Sequence, residues 1–249
     1  MASQVISTGL ESVLKKQFKE REMFELTNED RMYHQMLMAN VDENALQWAQ
    51  KKGLDAQRFM TYYKCAMREI ETKLYVLDEE FSLQHDRNPI NSIKTRLKSV
   101  PSIIEKLQRK EIEISLPAIE QNLDDVAGIR VVCSFVQDVY TIAQALLMQD
   151  DITLIERKDY IKHPKENGYR SLHLIVEVPI FLEKEKKNIR VEVQLRTIAM
   201  DCWASLEHQL RYKKKLEFTT EMQNELLECA KLSVELDSRM DALKNGINK

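Results

Sequence analysis

The eight residues Ile189-Arg190-Val191-Glu192-Val193-Gln194-Leu195-Arg196 alternate between apolar and polar side chains without a break. Successive side chains of a strand point to opposite faces, so the chain must form a sheet with Ile189, Val191, Val193 and Leu195 on its core side. Arg190, Glu192, Gln194 and Arg196 then share the other face. A solvated outer face is the ordinary meaning of that pattern in an antiparallel sheet. A second segment argues for more: a strand over Gly128–Phe135 follows the carboxylates Asp124 and Asp125, and the same parity puts Arg130 and Val132 on one face. Acid followed by arginine at a strand entrance suggests a cleft. An Asp from one strand edge and a Glu from another suit Mg²⁺, which takes one or two carboxylates together with phosphate oxygens.

Around these strands the pattern alternates: a helix over Asp138–Met148, strands over Ile152–Arg157 and Leu172–Val178, and helices again from Ile198. The last helix, Thr220–Leu243, carries many charges around a narrow apolar stripe, which suits an oligomer contact or a flank packed on the sheet. Towards the N-terminus, Asn28 to Leu83 reads as helical, with Asn28 and Asp42 as N-caps and Gly53 as a C′ stop. The long segment after Gly53 has Phe59, Tyr63, Met67, Ile70 and Leu74 on one face, a core or oligomer-packing stripe. Asn88-Pro89 interrupts the pattern, and Pro101 suits the first turn of a short helix over Ser102–Lys110. Five glycines, five prolines and 31% charged residues in 249 favour long helices. The expected fold is α/β (α+β), a mixed central sheet flanked by helices. It divides into a helical region over 1–87, a core over 88–215 and a C-terminal helix over 216–249.

Several function classes drop out. There is no G-x-x-x-x-G-K-[ST] and no G-x-G-x-x-G, so phosphate would have to be held by side chains. A net charge of −3 gives no overall attraction to nucleic acid or anionic lipid. Cys65, Cys133, Cys202 and Cys229 form no C-x-x-C, which indicates buried reduced thiols rather than disulfides or structural zinc. Neither a signal peptide nor a run of about 18 apolar residues is present. A cytoplasmic protein with no membrane partner is expected. His85-Asp86 could mark a metal-dependent phosphohydrolase, but His34, His163, His173 and His208 supply no convincing partner ligands, so it reads as a structural pair before a turn.

Two basic segments remain. Between Ile90 and Ser115 six basic residues, Lys94, Arg96, Lys98, Lys106, Arg109 and Lys110, face three acidic ones, a local +3 within an acidic chain. The second runs from Lys158 to His173 and interleaves Lys158, Lys162, Lys165 and Arg170 with Tyr160 and Tyr169. Its cations suit phosphate, Tyr169 offers a face for base stacking, and Asn167-Gly168 permits a tight turn. Alone, this would equally be a solvated loop.

Taken together, Asp124-Asp125-Val126-Ala127-Gly128-Ile129-Arg130, the Lys158–His173 loop and Glu192-Val193-Gln194-Leu195-Arg196-Thr197 resemble the RelA/SpoT-type alarmone synthetase domain. Met200–His208, with Arg211-Tyr212-Lys213, is similar to the single-domain small alarmone synthetases, closer to RelP than to RelQ. The resemblance spans about Asn88 to Lys215. It implies a nucleotidyltransferase-like synthetase fold and a GTP pyrophosphokinase that moves the β,γ-pyrophosphate of ATP to the 3′-hydroxyl of GTP or GDP, without hydrolase activity. It also implies a homotetramer with no need for nucleic acid.

By that resemblance Asp125 and Glu192 hold Mg²⁺, and Glu192 orients or deprotonates the attacking hydroxyl. Arg96 and Arg130 sandwich adenine, while Lys98, Ser102, Lys106 and Arg109 contact the ATP phosphates. Tyr169 stacks on guanine, and Lys158, Lys165, His173, Gln194 and Arg196 line the acceptor. Asp201 stands where the RelQ type has an asparagine that reaches the guanine, and a carboxylate can accept from both N1–H and the 2-amino group. The competing class is a non-catalytic nucleotide or single-stranded RNA binding module that uses the same basic loops.

Overall fold

The structure, a computed structural model, describes residues 53–85, 87–212 and 219–247. The described residues form six helices and one five-stranded sheet. In chain order these are α1 (Gly53–His85), β1 (Ile90–Leu97), α2 (Val100–Arg109), α3 (Leu116–Asn122), β2 (Ala127–Cys133), α4 (Val136–Leu147), β3 (Thr153–Asp159), β4 (Leu172–Phe181), β5 (Lys186–Thr197), α5 (Ile198–Tyr212) and α6 (Thr220–Ile247). The expected helices with caps at Asn28 and Asp42 lie outside the described residues, as does Asp86. α1 opens at Gly53, the first described residue, and the helix that Gly53 was expected to stop lies outside the described residues.

The strands lie in the order β1-β2-β5-β4-β3, with β2 and β5 parallel and every other pair antiparallel. This is the mixed sheet expected. One face is covered by α1 and α4. The helical stripe Phe59, Tyr63, Met67, Ile70 and Leu74 is buried there, joined by Val139, Ile142 and Leu146 of α4. From the sheet come Ile129, Val131, Leu174, Val176, Val191, Val193 and Leu195, the apolar half of each alternation.

Two elements were not legible as such. β1 is an edge strand whose register slips between Ile90 and Ser92. The slip breaks its alternation, and its outward Lys94 and Arg96 made it read as a basic segment. α3 spans only 7 residues, too short to show a helical period, although Ser115 caps it by accepting from the Ala118 N–H and a proline sits in its first turn. Ser99 does the same for α2 through the Ser102 N–H, again with proline in the first turn. The thiols also depart from expectation. Cys133 is buried and Cys65 half-buried, but Cys202 on α5 and Cys229 on α6 are exposed, because each lies on an outward face of its helix.

Register builds the opposite face of the sheet. Lys94 pairs with Arg130, Arg130 with Gln194, Gln194 with His173 and His173 with Lys158, so five polar side chains cross all five strands in one row. The next row contains Arg96, Gly128, Glu192, Ile175 and Glu156. A Cβ on Gly128 would meet only the backbone oxygens of Arg96 and Glu192, at 3.7 and 4.0 Å. Glycine thus leaves a bare floor between the Arg96 and Glu192 positions.

Candidate active site

Two clusters of charge occupy this polar face. In the first, Asp125, just before β2, accepts from Lys98 Nζ at 2.7 Å and pairs with Lys106 Nζ of α2 at 2.8 Å, both on Oδ2. Its other oxygen, Oδ1, is buried and has no hydrogen-bond partner in the described structure. Burial pushes the Asp125 carboxyl up, but the hydrogen bonds and charges of Lys106 and Lys98 together outweigh it and hold the group below its ordinary value. Its neighbour Asp124 instead pairs with Arg190 at 3.0 Å.

The second cluster is a closed ring of hydrogen bonds. Glu192 Oε1 meets His173 Nδ1 at 3.1 Å, and His173 Nε2 meets the Tyr169 hydroxyl at 2.8 Å. Arg196 donates to that hydroxyl at 2.6 Å and to Gln194 Oε1 at 3.0 Å, and the Gln194 amide donates to Glu192 Oε2 at 2.9 Å. A guanidinium can only donate, so the tyrosine's own hydrogen is available to His173 Nε2, which leaves the Nδ1 hydrogen for Glu192. Burial raises the Glu192 carboxyl and the Asp125 charge adds to that. His173 and the Gln194 amide pull the other way and leave it below its ordinary value, so it is ionised at neutral pH.

Asp201 links the two sides. In the first turn of α5, it accepts from Arg196 and pairs with Arg130, each at 3.2 Å. Burial, then repulsion from Arg196, lowers the Arg130 guanidinium, and Arg96 contributes in the same direction. Tyr169 lies between cations, with Arg196 5.1 Å and Lys165 5.0 Å from its ring centre. Its ring meets those of Tyr160 and His173 edge-on. A cleft of about 200 Å³ opens here, lined by Glu156, Lys158, Tyr160, Lys165, His173 and Glu192 among others.

The sequence-derived residues thus converge, with four qualifications. Arg109 lies exposed one turn beyond Lys106 on the Ser102-Lys106 stripe of α2. Arg96 is exposed, placed by its register with Gly128 rather than by a side-chain bond. Ser102 is buried, its hydroxyl 2.9 Å from that of Ser99 at the start of α2. Lys158 is tied to Glu156 at 2.7 Å. Sequence reasoning missed Tyr160, although its place in the basic loop was a signal, and Gly128 as the floor, which only register reveals.

The described geometry is that of a site for anionic ligands with two ionised carboxylates at its centre, and comparison with known proteins agrees. Residues 95–217 match the model of the region found in RelA / SpoT proteins. The chain is 40% identical to the GTP pyrophosphokinase YwaC of Bacillus subtilis, over 78% of this chain and 92% of that one. Among solved structures it resembles small alarmone synthetase 1 from Bacillus subtilis bound to its product pppGpp, with a TM-score of 0.72, 34% identity and coverage of 78% of this chain and 99% of that one. Small alarmone synthetase 2 of the same organism gives a TM-score of 0.70 at 38% identity, over 77% of this chain and 99% of that one. The chain therefore belongs to the RelA/SpoT family, among its small alarmone synthetases.

The Asp125 cluster makes a prediction about pH. A carboxyl whose folded value lies below its unfolded one contributes stability that is complete above the unfolded value, about 3.8, and is lost as pH falls through the folded value. Thermal unfolding followed by circular dichroism should show Asp125→Asn losing part of the wild-type fall in stability below about pH 4. At neutral pH the variant should be less stable than wild type, because Lys98 and Lys106 are left facing each other.

Proposed function

We propose that the chain is a GTP pyrophosphokinase that transfers the β,γ-pyrophosphate of ATP to the 3′-hydroxyl of GTP or GDP, giving pppGpp or ppGpp and AMP, without hydrolysing the product. The observation that carries this is the placement of Asp125 and Glu192. Both are ionised carboxylates on one sheet face, between the cations of β1–α2 and those of the β3–β4 loop. A groove that only bound RNA would gain nothing from them, because each repels phosphate unless a cation intervenes. Residues 88–215 form the catalytic core, and the closer likeness to RelP rests on Met200–His208 with Asp201. ATP and GTP are cytoplasmic nucleotides, and no helix among the described residues is long and apolar enough to cross a membrane.

The buried, partnerless Oδ1 of Asp125 and the mutual repulsion of Asp125 and Glu192 fit a divalent cation, with Asp125 and Glu192 as its protein ligands. Mg²⁺ bound there would neutralise phosphate charge and make the attacked phosphorus more electrophilic. The chain's own residues do the rest. Lys98, Lys106 and Arg109 take the ATP phosphates with Ser102 at the head of α2, and the planar guanidiniums of Arg96 and Arg130 take the two faces of adenine. Tyr169 stacks on guanine, while Lys158, Lys165 and Arg196 hold acceptor phosphates and Asp201 reaches the guanine edge. Glu192 accepts a hydrogen bond from the 3′-hydroxyl and takes its proton as the O–P bond forms. A carboxylate held below its ordinary value is a weak base, so its first contribution is orientation. His173 and Gln194 keep its two oxygens aimed.

α6 supports a homotetramer. Ala230, Ser233, Asp237, Asp241 and Lys244 turn inwards, whereas Leu232, Leu236, Met240 and Leu243 form an exposed apolar stripe at helical spacing. Four copies packed through such stripes would cover it.

Incubated with ATP, Mg²⁺ and GDP or GTP, the purified protein should yield equal amounts of AMP and a more highly phosphorylated guanosine, resolved by anion exchange. Glu192→Gln should stay folded and lose that turnover; near-normal product formation by the variant would remove Glu192 from its role. Tyr169→Ala should weaken acceptor binding by about 1–3 kcal/mol, the usual worth of a base–aromatic stack, and an acceptor KM equal to wild type would speak against stacking. Light scattering should give the mass of four chains for wild type and a smaller one for Leu236→Glu.

A further inference from the structure

The loop from β3 to β4 is held from outside the sheet by α6. Gly168 adopts φ +87, which its own turn requires, and a Cβ there would lie 2.4 Å from the Ala230 Cβ and 3.3 Å from Leu227 of α6. Trp203 of α5 packs in the same place and donates its indole N–H to the Leu226 carbonyl at 2.9 Å. One residue beyond Tyr169, Arg170 pairs with Asp237 of α6 at 3.0 Å, and the two side chains are only 10% and 7% exposed. Asp237 also lies beside the side chain of Thr197 at the end of β5, which favours its ionised form. The Thr197 hydroxyl in turn accepts from the Met200 N–H, which starts the helix that carries Asp201. Further along, Lys244 of α6 reaches Asp138 at 3.6 Å and lies over the Phe135 ring, which anchors the helix to the sheet-packing layer.

These contacts make two parallel links between loop and strand. On one side Arg196 binds the Tyr169 hydroxyl; on the other, their neighbours meet at Asp237, Arg170 by an ion pair and Thr197 by lying against it. We propose that Asp237 is a positioning residue for the guanosine acceptor: by holding Arg170 and Thr197 together it sets the distance between Tyr169 and Arg196, although it touches neither nucleotide. The assignment rests on the acceptor site described above. It predicts selectivity, because the Lys98–Lys106–Asp125 cluster on the ATP side makes no contact with Asp237.

The test is steady-state kinetics of the full chain with ATP and GDP varied separately, for wild type, Asp237→Asn, Arg170→Ala and the double variant. Asp237→Asn keeps the shape of the side chain and an acceptor for Thr197 while removing the charge opposite Arg170. The expected result is an acceptor KM raised about tenfold or more, with the ATP KM within about twofold of wild type and kcat at saturating GDP largely kept. The double variant should be no worse than either single one, since both break the same link. The proposal is overturned if both KM values move together, if the acceptor KM is unchanged while only the melting temperature falls, or if Asp237→Asn fails to fold, which would make the residue a folding requirement. Wild type that makes no product and binds no GDP would instead defeat the acceptor site itself.

Discussion

Parallel hydrogen bonding between β2 and β5 in a single register is the constraint on which the site depends. It sets Glu192 beside Gly128 and Gln194 beside Arg130, and it brings the end of β5 level with the residues that lead into α4. Slipping that register by one residue would send every polar side chain of β5 into the layer under α1 and α4. The apolar face therefore enforces the chemistry of the polar one: Val191, Val193 and Leu195 are fully buried, and their burial leaves Glu192 and Gln194 no choice of side.

Ionised carboxylates on a partly buried face are costly unless paired, and the chain meets that cost differently on its two sides. Asp125 is met by two lysines at full ion-pair distance, whereas Glu192 is met by a histidine and an amide in a hydrogen-bonded ring. The first arrangement is one of charge: a lysine that left Asp125 would have to be replaced by another cation to keep the balance. The second is geometric: each member of the ring fixes the orientation of the next, and Tyr169 belongs to it. Glu192 and Tyr169 are thus members of one hydrogen-bonded unit.

α6 shows how a helix can serve two surfaces at once. Its inward side reaches Arg170, Thr197 and Asp138 with small and polar residues, while Leu232, Leu236, Met240 and Leu243 face away from the chain. A helix that packed only for stability would be turned the other way, apolar side in. The narrow apolar stripe legible in the sequence was real, but the side it faced was decided by contacts with distant segments.

Read by itself, the sequence determined the strands β2, β4 and β5 and which face each of their residues takes, because period-two alternation in long uninterrupted runs has few other solutions. Asp125, Glu192, Tyr169 and the two basic segments could be singled out as candidates as well, from their parity and local charge, and the fold brings these residues to one side of the sheet. Alternation says nothing about which strands are neighbours, so the rows from Lys94 to Lys158 and from Arg96 to Glu156 came only from register. β1 and α3 escaped because one is interrupted by a bulge and the other is shorter than the signal that would reveal it. The link from Asp237 to Arg170 spans 67 positions and joins two charges that look solvated in sequence. Only the folded chain, by removing both from water, made them partners.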